Sequence, residues 1–172
     1  MIETERLTLH PLTEDDAAFY LQLVNEPSFI ENIGDKGVRT LDDARRAIVT
    51  GPMAMQKALG YSLLLVRQKS DGAAIGMCGL IKRDTLPDTD IGYAYLPAYW
   101  GRGYAYEAAV AVVDFARDKV GLRRLLGIVS PRNTASNQLL RKLGLRFIEL
   151  LVLKGETKDT NLYGLEFPPH HS

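Results

Sequence analysis

A chain of 172 residues with 46% hydrophobic content can bury the core of one domain unaided, and a single domain over residues 1–172 is expected. Twenty-one basic residues balance 21 acidic ones for a formal net charge of zero, which argues against a broad nucleic-acid footprint or an acidic-membrane surface. Apolar runs such as Leu63 to Val66 are far shorter than a membrane span, and the first residues lack the basic-then-apolar layout of a signal peptide, so a soluble cytoplasmic protein is expected.

In chain order, residues 5 to 11 alternate as a strand, and Thr13 caps a helix whose Asp16 makes a capping-box variant. That helix runs to about Asn25 and is interrupted by Pro27; after a loop around Gly34 to Gly37, Thr40 caps a second helix toward Leu59, which Gly51-Pro52 breaks or kinks. Tyr61 to Arg67 and Ala73 to Lys82 form a hairpin around Lys69-Ser70-Asp71-Gly72, followed by a strand from Thr89 to Leu96. A helix from Ala105 to Lys119, a strand from Arg124 to Val129 and a helix opened by Ser130-Pro131-Arg132-Asn133 come next, the last closed by Gly144. Strands over Leu145 to Leu153 and Leu162 to Phe167 flank a polar turn from Lys154 to Thr160. The order is that of an α/β chain with mixed sheet pairing, without repeats.

Between the strand ending at Leu96-Pro97 and the helix that follows lies Trp100-Gly101-Arg102-Gly103-Tyr104-Ala105-Tyr106-Glu107-Ala108. Glycines there let the main chain turn tightly, while the free N–H groups of the first helical turn and the positive end of the helix dipole attract an anion. A pyrophosphate fits. The dinucleotide fingerprint G-x-G-x-x-G fails at Tyr106, and no Gly-Lys-Ser or Gly-Lys-Thr of a nucleotide P-loop occurs.

Cys78 is the only cysteine, so an intramolecular disulfide is impossible, and its strand context reads as a small buried hydrophobe. His10 reads as a packed or surface histidine, and His170 with His171 as a tail beside two prolines. No metal constellation is present in the sequence, and none is expected.

The Gly-rich loop resembles the pyrophosphate loop of the GNAT superfamily of acetyl-CoA-dependent N-acetyltransferases, patterned [Q/R]-x-x-G-x-[G/A], with Gly103 and Ala105 matching and Trp100 standing where Gln or Arg is usual. The run from Trp100 to Ala105 with the following Glu107-Ala108, the opening Glu5 to Leu12, and Asn133-Thr134-Ala135-Ser136 with Leu143-Gly144-Leu145 are similar to the branch containing ribosomal-protein N-terminal acetyltransferases. The resemblance spans about residues 3 to 167. It implies a mixed, mostly antiparallel sheet of about seven strands with flanking helices, splayed between its fourth strand (Thr89 to Leu96) and fifth (Arg124 to Val129).

The same resemblance assigns the cosubstrate acetyl-CoA to this chain. The backbone of Tyr93, Ala94, Tyr95 and Leu96 would pair with the pantetheine arm as an added strand does, and Gly101, Arg102, Gly103, Tyr104, Ala105 and Tyr106 would cradle the pyrophosphate, with Arg102 a phosphate contact. Asp90 stands where the branch often carries a carboxylate, implying a base or the anchor of a water relay; the competing reading is a surface charge. An ordinary Asp titrates at about 3.9, too acidic for that work unless burial raises it. Glu107, in the first turn of the phosphate helix, suits structural pairing better.

Many family members use a tyrosine as general acid seven residues after the position of Asn133, but here that residue is Leu140. Ser136 resembles the alternative acid of the ribosomal-protein branch and Asn133 a pantetheine or thiol-side contact, although both residue types also cap helices. Tyr93, Tyr95, Tyr99, Tyr104 and Tyr106 read as packing residues rather than acids, while Glu31 to Gly37 and the second helix would wall the acceptor pocket. The resulting expectation is direct acetyl transfer in a ternary complex to a primary amine, with a protein or peptide N-terminus favoured. An α-amine titrates at about 7.7 to 8.0 and tolerates a weak base, whereas lysine at about 10.4 does not. A small-molecule amine and a non-catalytic acyl-CoA sensor remain the alternatives, and the superfamily's habit of dimerising makes a homodimer an expectation.

Overall fold

A computed structural model describes residues 1–169 of the chain; the expectation for His170 and His171 lies outside the described residues. One open sheet contains β1 (Ile2–Glu3), β2 (Leu7–Pro11), β3 (Leu63–Gln68), β4 (Ala74–Ile81), β5 (Asp90–Tyr95), β6 (Arg124–Val129), β7 (Arg146–Val152) and β8 (Asp159–Glu166), in the spatial order β1-β2-β3-β4-β5-β6-β8-β7. Every neighbouring pair is antiparallel except β5 with β6. The mixed, mostly antiparallel α/β sheet is as expected, with eight strands instead of about seven. The extra one is β1, held by Ile2 opposite Leu9 and Glu3 opposite Thr8; a two-residue strand carries too little alternation to be read.

Helices cover both faces. On one lie α1 (Ala17–Val24), α2 (Pro27–Asn32), α3 (Leu41–Ile48) and α4 (Ala54–Leu59), whose Leu23, Phe29, Ala44 and Ile48 pack with Leu65 of β3 and Met77 of β4. On the other, α5 (Tyr104–Phe115) and α6 (Thr134–Lys142) pack on Val66, Ile75, Cys78 and Ile91. Ala108 and Ala109, both fully buried, let the α5 backbone approach the sheet closely. Central β4 is buried continuously from Ile75 to Leu80, as a strand covered on both faces must be, and each large apolar side chain so buried contributes about 1.5–3 kcal/mol.

The expected caps form. Asp16 Oδ2 accepts the Thr13 N–H at 2.8 Å, and Thr40 Oγ1 accepts from the Asp43 N–H at 3.0 Å while Asp43 Oδ2 accepts from Thr40. Pro27 falls between two helices, as expected, while Pro52 does not break the second. Pro27 opens its own short helix at the first position, where its missing N–H is no loss. Pro52 sits within a π-helical turn, Val49–Met53, that joins α3 to α4 without a break; the wider turn absorbs the donor that proline lacks. Strand β8 also begins earlier than Leu162, because Asp159 and Thr160 pair with Val152 and Leu151 in the hairpin. There the backbone ladder decides, not the apolar pattern.

One discontinuity positions the site. Strands β5 and β6 are paired only at Asp90 with Leu126 and at Ile91 with Gly127, after which they diverge. The divergence lies at the two strands for which the splay was expected.

Candidate active site

The divergence leaves one edge of β5 without a strand partner from Gly92 onward. Ladder alternation decides which residues offer backbone groups to that gap. Leu96 donates its N–H to Ile75 O at 2.9 Å, and Ala94, opposite Met77, shares its parity, so both are turned to β4. The residues of opposite parity, Tyr93 and Tyr95, face the gap. The four expected pantetheine contacts thus divide into two that can pair with an incoming extended chain and two whose main chain is already engaged. Trp100 takes one group of this edge: its Nε1–H donates to Tyr95 O at 3.0 Å, which leaves the Tyr93 backbone and the Tyr95 N–H for an incoming chain and gives a structural use to the residue that departs from the family pattern.

At the end of β5 the loop reaches α5 through Gly101 and Gly103, with φ of 75° and 81°, a left-handed conformation that glycine adopts without strain. The first helical bond runs from the Glu107 N–H to Gly103 O at 3.0 Å, so the preceding N–H groups are left for an anion. Arg102 is exposed, with its guanidinium 5.6 Å over the Tyr99 ring. Ala105 packs against the core, Tyr104 Oη donates to Gln68, and Tyr106 lies under Lys142 Nζ at 4.1 Å. Glu107 is structural: its carboxylate accepts from Thr4 Oγ1, from the Arg6 N–H at 2.9 Å and from Arg6 Nε at 2.7 Å. Arg6 Nη1 in turn donates to Arg102 O at 2.9 Å, tying the loop to the segment before β2.

Asp90 is fully buried, not a surface charge. Its Oδ1 accepts from Arg83 Nε at 3.0 Å, while Oδ2 is buried without a hydrogen-bond partner. Burial raises the carboxyl to about 6, and Arg83 opposes the rise. Alternation along β5 places Asp90 on the same face as Ala94, which packs with the cluster of α1 to α3. Lys36, in the loop between α2 and α3, lies close enough for the charge of Arg83 to depress its own titration, after the larger effect of desolvation. Arg83 was not anticipated from sequence; a lone arginine in a polar loop carries no signal there.

The opposite face of β5 meets α6. Asn133 caps that helix, its Oδ1 accepting the Ser136 N–H at 3.2 Å, which is the structural alternative weighed for it. The Ser136 hydroxyl does not cap; it lies 2.6 Å from Tyr93 Oη. Leu140 is buried in the core. Behind the site, buried Asn137 donates to Ser130 O and Asn133 O and accepts from Asn161 Nδ2 and Tyr163 Oη, a junction missed in the sequence. Cys78 is buried, its thiol pushed up to about 12 by desolvation, so it is a packing residue. Among the described residues no group of three or more His, Cys, Asp or Glu is gathered to hold a metal, and no helix is long and apolar enough to cross a membrane.

An unpaired strand edge next to a helix N-terminus with a glycine turn fits a ligand with an amide-rich arm and a pyrophosphate. The family model for the acetyltransferase (GNAT) domain matches residues 6–146. The chain belongs to the GNAT acetyltransferase family. Over 98% of its length it is 26% identical to the uncharacterized N-acetyltransferase YoaA of Bacillus subtilis, covering 97% of that protein. The crystal structure of the acetyltransferase from Agrobacterium tumefaciens superposes with a TM-score of 0.81 at 28% identity, covering 96% of this chain and 94% of that one. RimL, a ribosomal L7/L12 alpha-N-protein acetyltransferase solved with coenzyme A, shares the fold at a TM-score of 0.79, with 19% identity and 95% of each chain covered. As a GNAT member the protein is an acetyl-CoA-dependent N-acetyltransferase.

Proposed function

We propose that this GNAT enzyme acetylates an α-amine, a protein or peptide N-terminus, by direct attack on acetyl-CoA in a ternary complex. The observation that carries the reading is Asp90, buried with one unpartnered oxygen and titrating at about 6. A base there is ionised at neutral pH yet close enough to it to accept a proton efficiently. It matches an α-amine at about 7.7 to 8.0, much of which is already neutral, and not a lysine or polyamine nitrogen near 10.4.

In this reading the N–H groups at Gly103 to Tyr106 hold the pyrophosphate, and the gap-facing backbone of Tyr93 and Tyr95 pairs with the pantetheine arm. A main-chain N–H at the same edge faces the thioester oxygen as negative charge develops on it. The amine arrives from the α1 to α4 side, where Asp90 lies, and the sulfur leaves toward α6 and Ser136. The N–C bond forms as the C–S bond breaks; the amine proton passes through water to Asp90, whose burial prevents direct contact, and the sulfur leaves protonated.

The test is acetyl-CoA-dependent thiol release with three acceptors: a lysine-free peptide with a free N-terminus, the same peptide N-blocked with an internal lysine, and spermidine. Release with the free N-terminus alone is expected. Release confined to the lysine peptide or spermidine would overturn the acceptor assignment.

A further inference from the structure

Ser136 and Tyr93 are 43 positions apart, and their hydroxyls meet where β5 has already parted from β6. The oxygen separation of 2.6 Å is at the short end for a pair of hydroxyls. Tyr93 Oη has one other neighbour, Ser136 O, at a long 3.4 Å. The Ser136 N–H is taken by Asn133, so the helix cap makes no demand on the serine hydroxyl. A phenol is a far stronger acid than an alcohol and hence the better donor of the two. Donation from Tyr93 Oη to Ser136 Oγ leaves the serine proton free to turn into the gap.

We infer that Tyr93 is a positioning residue: by donating to Ser136 Oγ it directs the serine proton at the sulfur that leaves acetyl-CoA. The inference rests on the reading that the sulfur departs on the α6 side. As the C–S bond breaks, its electron pair goes to sulfur, the Ser136 proton follows it to give the coenzyme A thiol, and Oγ takes the Tyr93 proton. Solvent restores Tyr93 with one proton for the one the amine released through Asp90, so the reaction is balanced without any further reactant. Burial raises the Tyr93 phenol above its ordinary value, which keeps it protonated and donating throughout the working pH range. The backbone of the same residue faces the pantetheine path, so one residue aligns both the arm and its leaving group.

The test needs no acceptor. The thiol of coenzyme A bound to the intact protein is titrated by ultraviolet thiolate absorbance, with wild type, Ser136→Ala and Tyr93→Phe compared to free coenzyme A. A proton aimed at sulfur lowers the bound thiol's pKa by about one unit, the size of one charge-assisted hydrogen bond. Ser136→Ala should return it to the free value, and Tyr93→Phe should lose about half of the depression with an unchanged melting temperature. Should Tyr93→Phe fold poorly, 3-fluorotyrosine at position 93, a stronger donor, should deepen the depression. A wild-type value equal to free coenzyme A, or a depression that survives Ser136→Ala, overturns the assignment of Ser136 itself. A depression lost in Ser136→Ala but kept whole in Tyr93→Phe, or untouched by fluorination, overturns the Tyr93 inference alone.

Discussion

Burying Asp90 beside a single guanidinium leaves its charge under-compensated, and that imbalance has opposite consequences for stability and for chemistry. Because its carboxyl is raised from an ordinary value near 4 to about 6, folding favours the protonated form. The stability it contributes is therefore full below pH 4 and lost as pH rises through about 6. Asp90→Asn, neutral throughout, should exceed wild type in stability by about 3 kcal/mol at pH 7.5, and the advantage should vanish below pH 4 in urea denaturation. The same variant should lose about 100-fold or more in kcat, together with the acidic limb of the pH–rate profile. Removing the opposing cation with Arg83→Gln should move that limb to higher pH; a limb that stays near 6 would separate Arg83 from the chemistry. Cys78 makes a simpler contrast: with its thiol pushed up to about 12, it should resist thiol reagents at pH 8 in the native protein and react at once in denaturant.

At the scale of elements, α6 is held in place by one polar side chain as well as by its apolar face. Asn137 makes its four hydrogen bonds at 2.7 to 3.0 Å, linking the loop before α6 to β8. Asn137→Leu strands the buried Tyr163 hydroxyl, while Ser130 O and Asn133 O keep their backbone donors, and should cost about 2 kcal/mol in chemical denaturation. The comparison of α6 with α3 shows what a sequence discloses. Thr40 was legible as a cap, as was Asn133, because those bonds close within a turn. Asn137 with Tyr163, Tyr93 with Ser136, and Glu107 with Arg6 join positions 26, 43 and 101 apart. Nothing local distinguishes such residues from surface polar groups until the sheet brings them together. Asp90 was legible as a candidate only through resemblance, and its burial, on which its chemistry depends, was not. The helix turn that accommodates Pro52 was missed for a related reason: the sequence shows the missing donor, but not the tertiary packing that makes a π turn tolerable.

For the molecule as a whole, the gap between β5 and β6 is an unfinished part of the sheet, and acetyl-CoA completes it in the reading given above. Ligand that binds only the folded state stabilises it by about 2.7 kcal/mol at one hundred times Kd. For a chain of this size that corresponds to a rise in Tm of about 5–10 °C. Where the stabilisation falls follows from the topology. If the pantetheine arm pairs with β5, amide exchange should slow across residues 92–96 and 125–129, while β7, the far edge of the sheet and separated from β6 by β8, should exchange unchanged. Gly103→Val tests the other end of the ligand. A side chain there would have to adopt φ near 81° with its Cβ 3.3 Å from Arg6 Nη2, which distorts the N–H groups meant for the pyrophosphate. The variant should show less than half the wild-type rise in Tm at the same acetyl-CoA concentration. Exchange in residues 92–96 should then slow less as well, because the arm is anchored through its phosphates; full protection of β5 in Gly103→Val would show that the arm binds without the loop, and the pyrophosphate would have to be placed elsewhere.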